Sequence, residues 1–170
     1  MDETAREEFR AYVAARSGAL LGTATLLTGD RALAEDLVQT ALARTCLAWG
    51  RIRQREAVDA YCRRVLVTTY ATWWRRRWRG EVPTAEPPER AGADPYERVD
   101  ETLRLRAALA RLPRRMRAAV VLRYWDDLPE AEVAELLGCS VGTVKSQASR
   151  GLAKLRPDLG ADALREEEAR

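Results

Sequence analysis

Four of the seven prolines fall in one stretch, GEVPTAEPPERAGADPYERVD, at Pro83, Pro87, Pro88 and Pro95. Proline lacks the backbone donor that a helix needs and clashes with the preceding turn, so no continuous helix crosses Gly80 to Asp100. The 170-residue chain is thereby divided into two pieces, each the size of a small domain. The dividing stretch holds six acids (Glu81, Glu86, Glu89, Asp94, Glu97, Asp100) against two bases (Arg90, Arg98) and lies between Arg-rich halves. An acidic, flexible tether joining two basic modules is predicted, with modules at 1–80 and 101–158, the tether at 81–100 and a tail at 159–170.

Hydrophobic residues make up 46% and charged residues 32% of the chain, enough apolar material for two packed cores. The net charge is +3, and nearly all the positive charge is Arg, with Lys only at Lys145 and Lys154. The planar guanidinium suits phosphates and guanine edges, which makes nucleic acid the first partner class to consider. The start, MDETAREEFR, is no signal peptide, and no run of about 18 apolar residues occurs, so a soluble, cytoplasmic protein is expected. There is no His, and the cysteines (Cys46, Cys62, Cys139) are isolated. Ser-His-Asp and Cys-His chemistry are thus excluded, and no metal or other cofactor is expected.

The first module reads as helices throughout, because apolar residues recur at three- and four-residue spacing. Phe9, Tyr12 and Val13 begin a stripe that Leu20, Leu21 and Leu27 continue after a break near Ser17-Gly18. Thr28-Gly29-Asp30 stops that helix and offers Asp30 as the next N-cap. Leu37, Val38, Leu42, Cys46 and Trp49 form the apolar side of the following helix. After the basic stretch GRIRQRE a long helix runs from about Ala57 to Arg79. The second module begins near Val99 with Leu103, Leu105, Ala108, Leu109 and Leu112 as core candidates. Pro113 starts a helix carrying Met116, Ala119, Val120, Leu122 and Tyr124, and two short helices follow, about Glu130 to Leu137 and Val141 to Leu155.

Those last two helices have helix-turn-helix form, with a turn at Gly138-Cys139-Ser140. Ala134 is small where the helices cross, Gly138 suits a left-handed conformation, and Ser140 is a natural N-cap. At 100° per residue Val141, Val144, Ala148, Leu152 and Leu155 share one face. The other face holds Thr143, Ser146 and Arg150, with Lys154 beside them and Gln147 and Ser149 on the flanks, and no acid. Short donors, amides and cations without a carboxylate are what a helix in the major groove requires. Lys145, Arg150 and Lys154 are assigned to phosphates, and Thr143, Ser146 and Gln147 to base edges, with Ser140 and Ser149 at the margin.

On the long helix of the first module, Val58, Tyr61, Cys62, Val65, Thr69 and Thr72 make one face, suited to a core. Nearly opposite lie Val67, Tyr70, Trp74 and Trp78, interleaved with Arg63 and Arg77. Two readings fit this stripe: stacking on unpaired bases held by arginines, or burial in a helix covered on two sides.

The residues Asp36-Leu37-Val38-Gln39, within EDLVQ, resemble the segment by which sigma-2 domains dock on the clamp helices of the largest RNA polymerase subunit. LPRRMRAAVVLRYWDDLPEAEVAELLGCSVGTVKSQASRGLAKL is similar to a sigma-4 domain, which in that family reads the −35 promoter element and binds the polymerase flap. Over nearly its whole length the chain resembles extracytoplasmic-function (ECF) sigma factors of the sigma-70 family, in detail an actinobacterial SigE-like subgroup. The resemblance implies an all-α fold of two small domains: a sigma-2 helical bundle and a sigma-4 helix-turn-helix, joined by the acidic linker. It also implies core polymerase, promoter DNA and, in many members, an anti-sigma factor as partners. The −10 element would be recognised and opened by the loop from Arg51 to Glu56 and the helix after it. Arg51, Arg53, Arg63, Arg64, Thr68, Tyr70, Trp74 and Arg77 are the residues singled out. Where many members carry Arg-Asn within AW-x-x-RIARN, this chain has Val67-Thr68. Thr69 to Trp74 also reads like the melting segment of housekeeping sigma factors, so two registers fit.

The rival within the same broad class is a stand-alone helix-turn-helix regulator, which predicts a dimerisation or ligand-sensing module in place of EDLVQ. An all-helical adaptor without a DNA role predicts acids on the recognition face. An enzyme is disfavoured, since there is no phosphate-binding Gly loop, carboxylate pair or ligand cluster.

Overall fold

The structure, a computed structural model, describes residues 2–52, 55–78 and 97–159. The chain divides into two compact units, Met1–Thr84 and Ala85–Arg170. Among the described residues there is no strand, and no helix is long and apolar enough to cross a membrane.

The first unit consists of α1 (Glu3–Thr28), α2 (Arg31–Ala48) and α3 (Arg55–Trp78), with a 3-10 turn over Trp49–Arg51. α2 is the middle element and packs on both other helices. Its start follows the expected punctuation. Gly29 takes φ 71° and donates its N–H to the Thr25 carbonyl, closing α1 in a left-handed conformation that side chains resist. Asp30 then accepts from the Leu33 N–H at 2.8 Å as the N-cap of α2. The break expected near Ser17-Gly18 does not occur, and α1 is continuous. A mid-helix glycine costs about 1 kcal/mol, less than the apolar burial gained by holding Ala24, Leu26 and Leu27 in the core on the same rigid rod.

The buried face of α3 is Val58, Cys62, Leu66, Val67, Thr69 and Tyr70. It is rotated by roughly 70°, at 100° per residue, from the face read off the sequence, and Thr72 is exposed. Leu66 and Tyr70 bury their apolar area on this face, whereas Tyr61, Trp73 and Trp74 are only half-buried. The Tyr70 hydroxyl reaches across the core to donate to the Leu27 carbonyl at 3.0 Å.

The second unit places α4 (Glu97–Arg111), α5 (Arg114–Val120) and α6 (Glu130–Leu137) against α7 (Val141–Leu159). α4 begins inside the range read as tether: past Pro95 the run ERVDETLRLRAALAR contains no helix breaker. The rest of that tether, residues 81–96, and the tail 160–170 lie outside the described residues. α7 continues four residues past Leu155, and an ion pair of Arg111 Nη2 with Asp158 Oδ2 at 2.7 Å fastens its last turn to α4. Ala108, Leu109 and Leu112 join the core as expected, whereas Leu103 is exposed and Leu105 half-buried. α5 passes into a π-helical turn over Val121–Trp125, in which Asp126 donates to the Val121 carbonyl at 3.1 Å. Asp127 takes φ 52°, a left-handed position that Asp tolerates. The chain thereby reverses, with Leu128 N–H on the Leu122 carbonyl and the Arg123 guanidinium on the Leu128 carbonyl. The outcome is to leave Tyr124 and Trp125 exposed.

Candidate nucleic-acid interface

α6 ends where Gly138 takes φ 64°, and its carbonyls are closed by Gly138 N–H on Glu135 and Cys139 N–H on Ala134. Ser140 then starts α7: its Oγ accepts from the Thr143 N–H at 3.1 Å and lies 2.9 Å from the Thr143 hydroxyl. Val144, Ala148 and Leu155 are buried, as the helical period requires. Lys145, Ser149, Arg150 and Lys154 are exposed, and Thr143, Ser146 and Gln147 are half-buried at the base of the same surface. Thr143, Ser146, Gln147, Arg150 and Lys154 follow a three- and four-residue spacing, so they form one stripe on the helix. Lys145 stands on the neighbouring stripe, its Nζ 3.5 Å from Glu130 Oε2 at the start of α6. Val141, placed on the inner face by periodicity, is 38% exposed at the first helical position of α7. Its methyls add an apolar group of the kind that meets a thymine methyl.

α7 approaches α5 closely enough to exclude a side chain at Gly151. A Cβ there would lie 2.6 Å from Val120 Cγ2 and 3.5 Å from the Met116 carbonyl oxygen. Gly151→Ala gains about 1 kcal/mol of helix propensity but must displace a buried β-branched neighbour, a cost of about 1–3 kcal/mol. A net loss of about 1 kcal/mol in chemical denaturation is therefore expected, together with a shifted α7.

In the first unit, Asp36 and Gln39 are exposed on α2, whereas Leu37 and Val38 of the same motif are core residues. Arg51 is exposed at the end of the 3-10 turn, and Arg64 and Thr68 are exposed one turn apart on α3. Arg63 is half-buried. Tyr70 is 3% exposed with its hydroxyl engaged in the core, so the structure assigns it to packing and removes it from the stacking candidates. Trp74 is half-buried and meets the Tyr70 ring edge-on, centroids 5.9 Å apart. Arg53 and the side chain of Arg77 lie outside the described residues.

The Sigma-70 region 2 family matches residues 6–80, and the Sigma-70, region 4 family matches residues 102–155. The chain is 44% identical to the RNA polymerase sigma-E factor of Streptomyces coelicolor over 95% of its own length and 94% of that protein. It belongs to the sigma-70 family of RNA polymerase sigma factors. Among ECF members, SigM of Mycobacterium tuberculosis is 35% identical over 75% of this sigma factor and 64% of that protein. The fold is shared with RpoE of Bartonella quintana, solved in complex with the anti-sigma factor NepR. That likeness has a TM-score of 0.68 at 24% identity and covers 92% of this chain and 99% of that one. In this sigma factor α1 from Arg6 onward, α2 and α3 fall within region 2, and α7 as far as Leu155 within region 4.

Proposed function

We propose that this sigma factor binds core RNA polymerase and directs initiation at promoters by reading two DNA elements. α7 reads the −35 element, and the surface of Arg51, Arg64 and Thr68, with Trp74 at its edge, engages the −10 element. The observation that carries the reading is the outer stripe of α7, which has cations and short polar side chains and no acid from Val141 to Leu155. Residues 1–80 then form the docking and −10 module, 101–158 the −35 module, and 81–100 the tether, its end already helical from Glu97. Each reader is weak alone, because a good base contact contributes only about 1–3 kcal/mol. When polymerase holds both, the second contact becomes intramolecular and its effective concentration rises. The factor is non-catalytic and acts in the cytoplasm without a cofactor. An anti-sigma protein is a further proposed partner, as NepR is for the similarly folded RpoE.

The test is run-off transcription from fragmented genomic DNA with sigma-free core polymerase. Discrete transcripts that require the protein are expected, and their start sites give both elements. Specific binding to duplex DNA without polymerase, with no transcript, would instead establish a stand-alone regulator.

A further inference from the structure

α1 carries three residues, Phe9, Tyr12 and Arg16, at three- and four-residue spacing and hence on one stripe. The Phe9 ring meets the Trp49 indole edge-on with centroids 5.1 Å apart, and the Tyr12 ring lies 5.6 Å from the same indole. Trp49 is the first residue of the 3-10 turn that ends at Arg51, and the Ile52 N–H closes that turn on the Trp49 carbonyl at 3.3 Å. Arg16 holds the chain on the other side of residues 53–54. Its guanidinium makes a two-pronged contact with Asp59 in the second turn of α3, Nη2 to Oδ2 at 2.9 Å and Nε to Oδ1 at 3.0 Å. The Tyr12 phenol lies between the two attachments, beside Cys62 and Asp59. Its burial, ahead of those neighbours, raises its pKa, so it stays protonated. All three rings are half-buried at the edge of the unit, apart from the fully buried Leu27, Leu37 and Leu66.

We infer that Phe9 and Tyr12 of α1 are a positioning device for Arg51, acting through Trp49 to set the direction in which that guanidinium meets DNA, while Arg16 on the same stripe holds the start of α3 through Asp59. The inference rests on the proposal that Arg51 engages the −10 element. Arg51 is exposed, and Gly50 beside it has open space around it; among the described residues the turn is held by the ring contacts on Trp49, the Trp49 N–H on the Cys46 carbonyl and the Ile52 hydrogen bond. Hydrogen-bond readout tolerates little misalignment, so a base contact made by Arg51 requires its turn to be held. An aromatic pair is a small part of a folded unit's stability, and its loss frees the turn before it unfolds the helices.

The test measures run-off yield from a promoter found in the transcription experiment, relative to the same promoter with single −10 base changes. Holoenzymes carrying Trp49→Leu, Arg51→Ala, both together and Trp49→Phe are compared. Arg51→Ala and Trp49→Leu are each expected to lower −10 discrimination by roughly tenfold, the range of one good base contact. The double variant is expected to be no worse than either single one, because Trp49 acts through Arg51. Trp49→Phe keeps a ring on Phe9 and restores discrimination, and the penalty for −35 base changes is the same in every variant. Phe9→Leu, which removes a ring without touching the turn, repeats the Trp49→Leu result with the unit still folded cooperatively and its thermal midpoint lowered by only several degrees. Full discrimination in Trp49→Leu and Phe9→Leu, or losses that multiply in the double variant, would overturn the inference while leaving −10 reading by Arg51 in place. Full discrimination in Arg51→Ala would remove that reading and the inference together.

Discussion

Exchanging Asp36 for Arg and Gln39 for Ala in one variant is expected to abolish promoter-specific transcripts while leaving the first unit folded. Both side chains are exposed and lie one turn apart on α2, the helix that the other two pack against. They are the accessible half of a four-residue motif. Leu37 and Val38 are 0% and 6% exposed and cannot meet a partner without unfolding the unit. Leu37→Ala is therefore a poor test of docking, because emptying that site destabilises the unit by about 2–5 kcal/mol whether or not polymerase is present. The surface pair separates the two effects. Surface substitutions away from caps and buried networks change stability by about 0.5 kcal/mol or less. Reversing a charge at the centre of an interface costs about 2–4 kcal/mol, roughly 30- to 1000-fold in affinity. Run-off transcription should fall by that factor, core binding in a fluorescence titration should fall with it, and the thermal midpoint should stay where it was. A variant that transcribes normally would remove EDLVQ from the docking surface.

The helix-turn-helix was legible because every local rule agreed with its neighbours. Ser140 caps, Gly138 turns left-handed, Val144, Ala148 and Leu155 recur at the helical period, and nothing in the tertiary structure competes with them. Legibility failed where packing outweighed a local signal. Ser17-Gly18 is a credible break in an isolated peptide, but α1 crosses it because its later half is clamped in the core. α3 is apolar on most of its circumference, and period alone does not say which apolar residues face inward. The fold turns Leu66 and Tyr70 inward and leaves the larger Trp73 and Trp74 half-buried, which moves Tyr70 out of the stacking set. At the candidate sites the sequence identifies residue types well and accessibility poorly. The family resemblance groups Asp36, Leu37, Val38 and Gln39 as one docking segment, yet only Asp36 and Gln39 are on the surface, as the apolar period of the helix already implied for Leu37 and Val38. Val141 departs the other way, since the helical period cannot register how far the first residue of α7 stands out from the core.

Arg117→Ala is expected to destabilise the second unit by about 2–4 kcal/mol, although the sequence places this residue in an ordinary basic run, RRMRAA. Arg117 is only 8% exposed, and its Nη2 donates to the Ala110 carbonyl at 2.7 Å and the Leu112 carbonyl at 3.3 Å. These are carbonyls at the end of α4, which the helix itself leaves without partners. A guanidinium there satisfies them and places positive charge at the negative end of the helix dipole. Its removal strands the buried Leu112 carbonyl, leaves the part-buried Ala110 carbonyl without its charged donor and opens a void between α4 and α5. Arg117→Met fills part of the void but leaves the carbonyls unpaired, so it should recover less than half of the loss. Arg117→Lys restores charge with a point donor in place of a fork, and should recover more. Denaturant unfolding of the three variants checks the order Arg, Lys, Met, Ala. A different order, with Met at or above Lys, would mean that packing and not the carbonyl cap is what Arg117 contributes. Because α4 and α5 both pack on α7, the same order is expected in −35-dependent transcription near the melting range, where the recognition helix loses its support.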